Sequence, residues 1–203
     1  MKPGELSIVT RALAKELGPS WPTALIAAQM RTGRVFGETH WAKETGVEAE
    51  FARRLSISTA LYRGLLKKLD GDRALGIMRR ILVPLGTGEQ LGNLDRWGVS
   101  QKTGPEKLLA FYDAMGKGGV GQFVHRTITE KGDSVLSFQV RNCLFKRFYD
   151  ETGTPELTRL FCEVDVEFFA QAFPDFNFHR GSSLENTVAY GKDHCEFVFE
   201  KKP

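Results

Sequence analysis

Cysteine is scarce in this 203-residue chain: Cys143, Cys162 and Cys195 are an odd number with no close pair. That excludes a disulfide framework of the kind that staples small secreted domains, and it fits free thiols in a reducing compartment. Absent too is any run approaching the roughly 18 apolar residues that a membrane-spanning helix needs. The opening MKPGELSIVT lacks a basic stretch followed by an apolar one, so neither an export leader nor a membrane anchor is expected. Charge of one sign is also missing in bulk, with 28 Lys and Arg against 25 Asp and Glu giving +3. The excess is uneven: residues 1–104 hold 16 basic and 10 acidic side chains, or +6, and the remainder hold 12 and 15, or −3. The cations come as isolated pairs (Arg53-Arg54, Lys67-Lys68, Arg79-Arg80) and not as a dense stripe interleaved with aromatics, so nucleic acid is not an expected partner. With 41% hydrophobic and 26% charged residues, the chain has the composition of a soluble protein with a packed core, and a cytoplasmic location is expected.

What is present changes character near residue 116. The first half reads as helical. Ser20 offers an N-cap before Trp21-Pro22 and an apolar run from Thr23 to Phe36. A second helix spans about 48–69, with Leu61, Leu65, Leu66 and Leu69 on one stripe, and Asp72 is a candidate cap for a third that carries Ala74, Ile77, Met78, Ile81, Leu82 and Leu85. Gly86, Gly88, Gly92, Gly98 and Gly104 read as a long loop, after which Pro105 reopens a helix. Beyond Gly116-Lys117-Gly118-Gly119-Val120-Gly121, which reads as a flexible connection, lie 12 of the 15 phenylalanines and the first period-two alternation: Leu136, Phe138 and Val140. That run is expected to form a hairpin with 122–130 across Lys131-Gly132-Asp133. Helices at 144–151 and 155–172 follow, then strands at 176–180 and 194–200. The fold class expected is α+β: a helical N-terminal half, residues 1–116, followed by an antiparallel sheet packed against helices, residues 117–203, together forming one integrated domain.

Most candidate chemistry is quickly set aside. Neither glycine-rich stretch ends in the G-K-[ST] of a phosphate loop or completes a dinucleotide fingerprint. Cysteine separations of 19 and 33 residues carry no zinc-ligand spacing; no cofactor is expected, though a metal stays open. His40, His125 and His179 sit in no motif, and His194 points away from its neighbour Cys195 in a regular strand. The helix at 155–172 says more. At about 100° per residue, Leu157, Leu160, Phe161, Val164 and Phe168 form one stripe, while Asp165, Phe169 and Cys162 lie at about 80°, 120° and 140° from Leu157. Cys162 and Asp165 are thus i,i+3 neighbours on one flank, either half of a nucleophilic site or a core cysteine beside a solvated aspartate. Arg141, Asn142 and Cys143 occupy a strand-to-helix junction, where backbone groups are free to meet a ligand.

Five short segments occur in a characteristic order. They are Asn142-Cys143-Leu144-Phe145; Gly153-Thr154-Pro155-Glu156-Leu157; Phe161-Cys162-Glu163-Val164-Asp165; Phe178-His179-Arg180 with Ser183-Leu184; and Cys195-Glu196-Phe197-Val198-Phe199. Over about residues 120–200 this order resembles the L-2-amino-thiazoline-4-carboxylic acid hydrolase family, and all three cysteines fall on its pattern. Gly181, Glu185-Asn186-Thr187 and Glu196 depart from it. The resemblance implies a hydrolase that opens a non-peptide C–N bond in a small cyclic amidine or isothiourea carboxylate. It implies Cys162, Asp165 and Cys143 as catalytic residues, with Arg141, Asn142, Arg180 and Cys195 binding the substrate. The competing expectation is a ligand-binding or sensing domain without turnover. A small molecule is the expected partner, with no membrane, and a homo-oligomer through the N-terminal helices is left open.

Overall fold

The computed structural model describes residues 3–118, 120–132 and 134–203. Its contacts divide the chain into two compact units. The first comprises Met1–Leu85 with Phe148–Leu160, the second Gly86–Arg147 with Phe161–Pro203. The breaks at 85/86, 147/148 and 160/161 fall inside helices.

In the first unit, α1 (Pro3–Leu17), α2 (Trp21–Gly37) and α3 (Val47–Leu65) precede the first part of α4 (Gly71–Arg96). Leu13, Trp41, Leu61, Leu65, Ile77 and Met78 are buried, as the three-four spacing requires, but Leu66 is exposed at the end of its stripe. Two caps differ from expectation. Ser20 turns its hydroxyl back to the Leu17 carbonyl (2.8 Å), and Asp70 caps α4 in place of Asp72, its Oδ1 accepting the Arg73 amide at 2.9 Å. Segment 148–160 joins this unit through buried hydroxyls. Ser58 meets the Tyr149 hydroxyl at 2.8 Å, and Thr59, Thr152 and Thr154 lie within 3.3 Å of one another. Thr154 thus spends its hydroxyl on this cluster.

The second unit is built around a four-stranded antiparallel sheet in the order β1-β2-β4-β3, with β1 His125–Lys131, β2 Val135–Arg141, β3 Phe176–His179 and β4 Cys195–Lys201. The fold is α+β, as the patterning implied. Gly132 closes the expected hairpin by donating to the Val135 carbonyl, while Asp133 and Gly119 lie outside the described residues. Residues Val120–Phe123 form a 3₁₀ turn and not the start of β1. One sheet face carries Leu136, Phe138, Val140, Cys195, Phe197 and Phe199. It packs against Leu108 and Phe111 of α5 (Gly104–Met115) and against Phe168 and Phe169 of α7 (Glu156–Ala172). Each fully buried phenylalanine contributes about 1.5–3 kcal/mol by leaving water. Between β2 and α7 runs α6 (Leu144–Glu151).

The largest departure from expectation is the glycine-rich segment 86–96, which is helix and not loop: α4 continues through Pro84 to Arg96. Tertiary packing overrides the weak propensity, because Leu94 is buried and Gly86 lies against α7. A β-carbon at position 86 would come within 2.8 Å of Val164 Cγ2, a short, rotamer-locked side chain that cannot swing away. Gly121 shows the same need for closeness, since a β-carbon there would meet the Met115 carbonyl.

Two neighbouring substitutions should therefore have opposite signs. Gly86→Ala should destabilise by about 1–3 kcal/mol through overpacking, while Gly88→Ala, with open space around it, should stabilise by up to about 1 kcal/mol through helix propensity. Urea denaturation of the two variants measures both; equal effects would contradict this account of α4.

Candidate functional site

Arg180 follows β3 directly and is 1% exposed, so its charge must be met inside the protein. Its Nη2 donates to Asp165 Oδ2 on α7 at 2.5 Å, and its Nη1 donates to the Glu196 carbonyl on β4 at 3.2 Å. The guanidinium lies over the Phe197 ring at 4.2 Å and over that of Phe178 at 5.3 Å, which satisfies part of the charge by cation–π attraction. Its Nε is buried without a hydrogen-bond partner. The loop after Gly181, a glycine at φ 73°, returns to brace the arginine: Asn186 Nδ2 donates to the Arg180 carbonyl at 2.9 Å.

Three thiols gather around this pair. Cys162, one turn before Asp165, approaches the buried Thr187 hydroxyl at 3.8 Å. Cys195 opens β4 and accepts the Val188 amide at 3.3 Å. Cys143 stands just before α6, and its sulfur takes hydrogen bonds from the amides of Lys146 and Phe145 in the first helical turn. The groups lie within electrostatic reach of one another. Cys143 is influenced by Cys162 and Asp165, Cys162 by Arg180, Asp165 and Cys195, and Cys195 by Arg180, Cys143 and Asp165.

Burial decides their protonation. It pushes each thiol up to about 11, against the helix-start amides at Cys143, against Arg180 at Cys162 and against the Val188 amide and Arg180 at Cys195. At neutral pH the thiolate fraction is then on the order of 10⁻⁴. Asp165 is also raised by burial, with Arg180 opposing the shift. The result is a neutral ion pair flanked by neutral thiols. Such a site can hydrogen-bond a polar, uncharged or amidine-like group through the remaining Asp165 oxygen and can exchange a proton there.

The structure thus brings Cys143, Cys162, Asp165, Arg180 and Cys195 together and places the other two candidates elsewhere. Arg141 is exposed, and its Nη2 reaches Gln139 Oε1 at 3.3 Å. That is the sheet face on which Gln139 and His194 bond Glu196, whereas Val140 pairs in register with Cys195. Asn142 is an exposed turn residue at φ 57°, a left-handed conformation that asparagine tolerates. Sequence reasoning missed Asn186 and Thr187. They stand out as departures from the family pattern, and they are the residues that brace Arg180 and Cys162. Among the described residues, no group of three or more His, Cys, Asp or Glu side chains is placed to hold a metal ion. No described helix is long and apolar enough to cross a membrane.

The fold and these residues define a mixed helix-and-sheet protein with an Asp–Arg ion pair beside three thiols. The chain belongs to the L-2-amino-thiazoline-4-carboxylic acid hydrolase family, whose model matches residues 48–199. That match reaches well into the helical half, further than the segment order from about residue 120 implied. No curated protein matches the chain. Among solved structures, the Fe(II) unliganded H-NOX protein from K. algicida is 9% identical with a TM-score of 0.43, covering 100% of this chain and 97% of its own. A mutant of the same protein gives 0.41 at 9% identity and the same coverage. Likeness this distant carries no argument about fold or function.

The thiol shifts have a stability consequence. The folded state holds these protons more tightly than the unfolded chain, so the contribution is fully present below about pH 9 and is lost as pH rises through about 11. Urea unfolding at pH 8, 9, 10 and 11 should show that fall. It should be shallower when all three cysteines are alanine, since the buried Tyr62 and Tyr149, whose hydroxyls burial also raises, contribute equally to both proteins. Native thiols should also be alkylated slowly at pH 7.5, and fast labelling would contradict the assignment.

Proposed function

We propose that the Asp165–Arg180 pair and its thiols form the active site of a hydrolase that opens a non-peptide C–N bond in a small cyclic amidine or isothiourea carboxylate, such as 2-amino-thiazoline-4-carboxylate. Family membership supports the substrate class. The observation that carries the site is the salt bridge itself, a half-buried carboxylate held by a buried guanidinium with three thiols in reach. In this reading, an N–H of the amidine donates to the free oxygen of Asp165, which orients the ring carbon toward water. Water adds to that carbon and gives a proton to the Asp165 carboxylate. As water adds, the C=N double bond opens and Asp165 passes this first proton to the ring nitrogen; the new hydroxyl then gives its own proton through Asp165 to the same nitrogen as the ring C–N bond breaks, so that a free amine and an S-carbamoyl group form, a product one water heavier than the substrate.

Arg180 keeps Asp165 able to ionise, its terminal nitrogens being engaged by Asp165 and the Glu196 carbonyl, and its charge attracts the substrate carboxylate from beneath the site. In the other route to the same product Cys162 attacks that carbon, the ring C–N bond breaks and leaves the carbon on the Cys162 sulfur, and water then displaces that sulfur, which regains its proton. Because burial keeps that thiol protonated, this route requires Asp165 to take the thiol proton as the C–S bond forms. Cys143 and Cys195 furnish the remaining thiol walls. Their protonated state favours weak donation over nucleophilic attack.

Purified protein incubated with 2-amino-thiazoline-4-carboxylate should yield a product one water heavier by mass spectrometry. Asp165→Asn should lower the rate by about 10²–10⁴, the range for a lost acid–base group. Cys162→Ala separates the routes: abolished turnover assigns the attack to sulfur, and retained turnover assigns it to water. Thermal stabilisation by the compound without any product would overturn hydrolysis and leave a binding domain.

A further inference from the structure

Within the first unit, α2 and α3 enclose a cleft of about 240 Å³ lined by Arg31, Arg34, Glu38, Arg63 and Lys67 over Val35 and Ala60. Four cations face one carboxylate, a local charge of +3. Nothing local in the sequence announces this, because the residues are spread over 37 positions on two helices and the turn that follows.

Glu38 is already engaged. Its Oε2 accepts Arg63 Nη1 at 2.7 Å, and its Oε1 lies 3.6 Å from Arg34 Nε. Arg63 is fixed from its other side as well, Nη2 donating to the Thr152 carbonyl at 2.6 Å, so one guanidinium is preset at the wall. Arg31 lies across the face of Gly64, where a β-carbon would come within 3.6 Å of its Nη1, and neither it nor Lys67 has an ion pair or hydrogen bond among the described residues. Val35 and Ala60 form a buried apolar floor, which lowers the local dielectric and strengthens the pull on an anion. We propose that this cleft binds a small molecule bearing a phosphoryl or diphosphoryl group, with Arg31 and Lys67 as the capturing cations and Arg63 as the fixed one. The concave shape and the lack of any aromatic lining residue favour a compact phosphorylated ligand over a nucleic-acid strand, which needs stacking platforms along an open groove. The reading is independent of the hydrolase assignment.

Inorganic pyrophosphate is the probe, titrated calorimetrically into the full chain at two salt concentrations. One-to-one binding that weakens with salt is expected. Arg31→Gln and Lys67→Gln should each weaken it about tenfold or more, the scale of one charge-assisted hydrogen bond. Both side chains are exposed, so neither change should lower the melting temperature. Lys68→Gln, the same charge change next to the cleft residues, should leave binding intact. Absence of saturable binding, or equal weakening by Lys68→Gln, would overturn the proposal. Orthophosphate and single-stranded RNA run in parallel distinguish a diphosphoryl preference from a general anion surface, and tighter binding of RNA would also count against the compact-ligand reading.

Discussion

An arginine with almost none of its surface in water has to be neutralised where it stands, and in this protein the obligation falls on Asp165. Ionic burial of this kind is weak evidence for net stability, because the desolvation of both charges consumes most of the Coulomb attraction. Its worth is positional. To meet the guanidinium, the middle of α7, the end of β3 and the backbone of β4 must arrive at one point, with the neighbouring rings of Phe178 and Phe197 both against the cation. The second unit's core and its candidate site therefore share a single constraint. The phenylalanine cluster determines how closely the sheet and α7 approach, and the ion pair determines their register.

The thiols follow from the same geometry. A cysteine at a helix start or near an arginine would ordinarily be acidic, since the amides and the cation both favour the thiolate. At Cys143 and Cys162 those influences are present and lose to burial. The three thiols therefore stand as neutral groups and not as preformed sulfur anions. The carboxylate, in contact with its counter-ion and still partly open, is raised by burial against the pull of Arg180.

Much of this arrangement was legible in the sequence, and the boundary of legibility is physical. Period-two alternation gave the inward face of β2, and the helical angle placed Cys162 and Asp165 on one flank. Both are local properties of an element, independent of its neighbours. The partner of Asp165 was named as a candidate but not paired, because Arg180 is fifteen residues away and only strand pairing brings it back. The loop expected over 86–104 holds only from 97, and the reading of 86–96 failed for the reciprocal reason. Glycine and proline signal a break when considered locally, yet Gly86 is present because Val164 leaves no room for a side chain, a fact that belongs to two helices at once. Arg141 shows the limit of motif position as a guide: it sits one residue from Val140 and two from Cys143, and the pleat sends it to the other face of the sheet.

The bulge in β1, where the register slips between Ile128 and Glu130, has a consequence for how the molecule behaves in a crowd. An outermost strand offers unpaired amides and carbonyls to any extended chain that passes. Here that border is kinked, largely exposed and ends in the charged Glu130 and Lys131, while the opposite border, β3, is only four residues long. Straight, uncharged rims are what cross-β aggregation requires as a template, and neither rim of this sheet provides one.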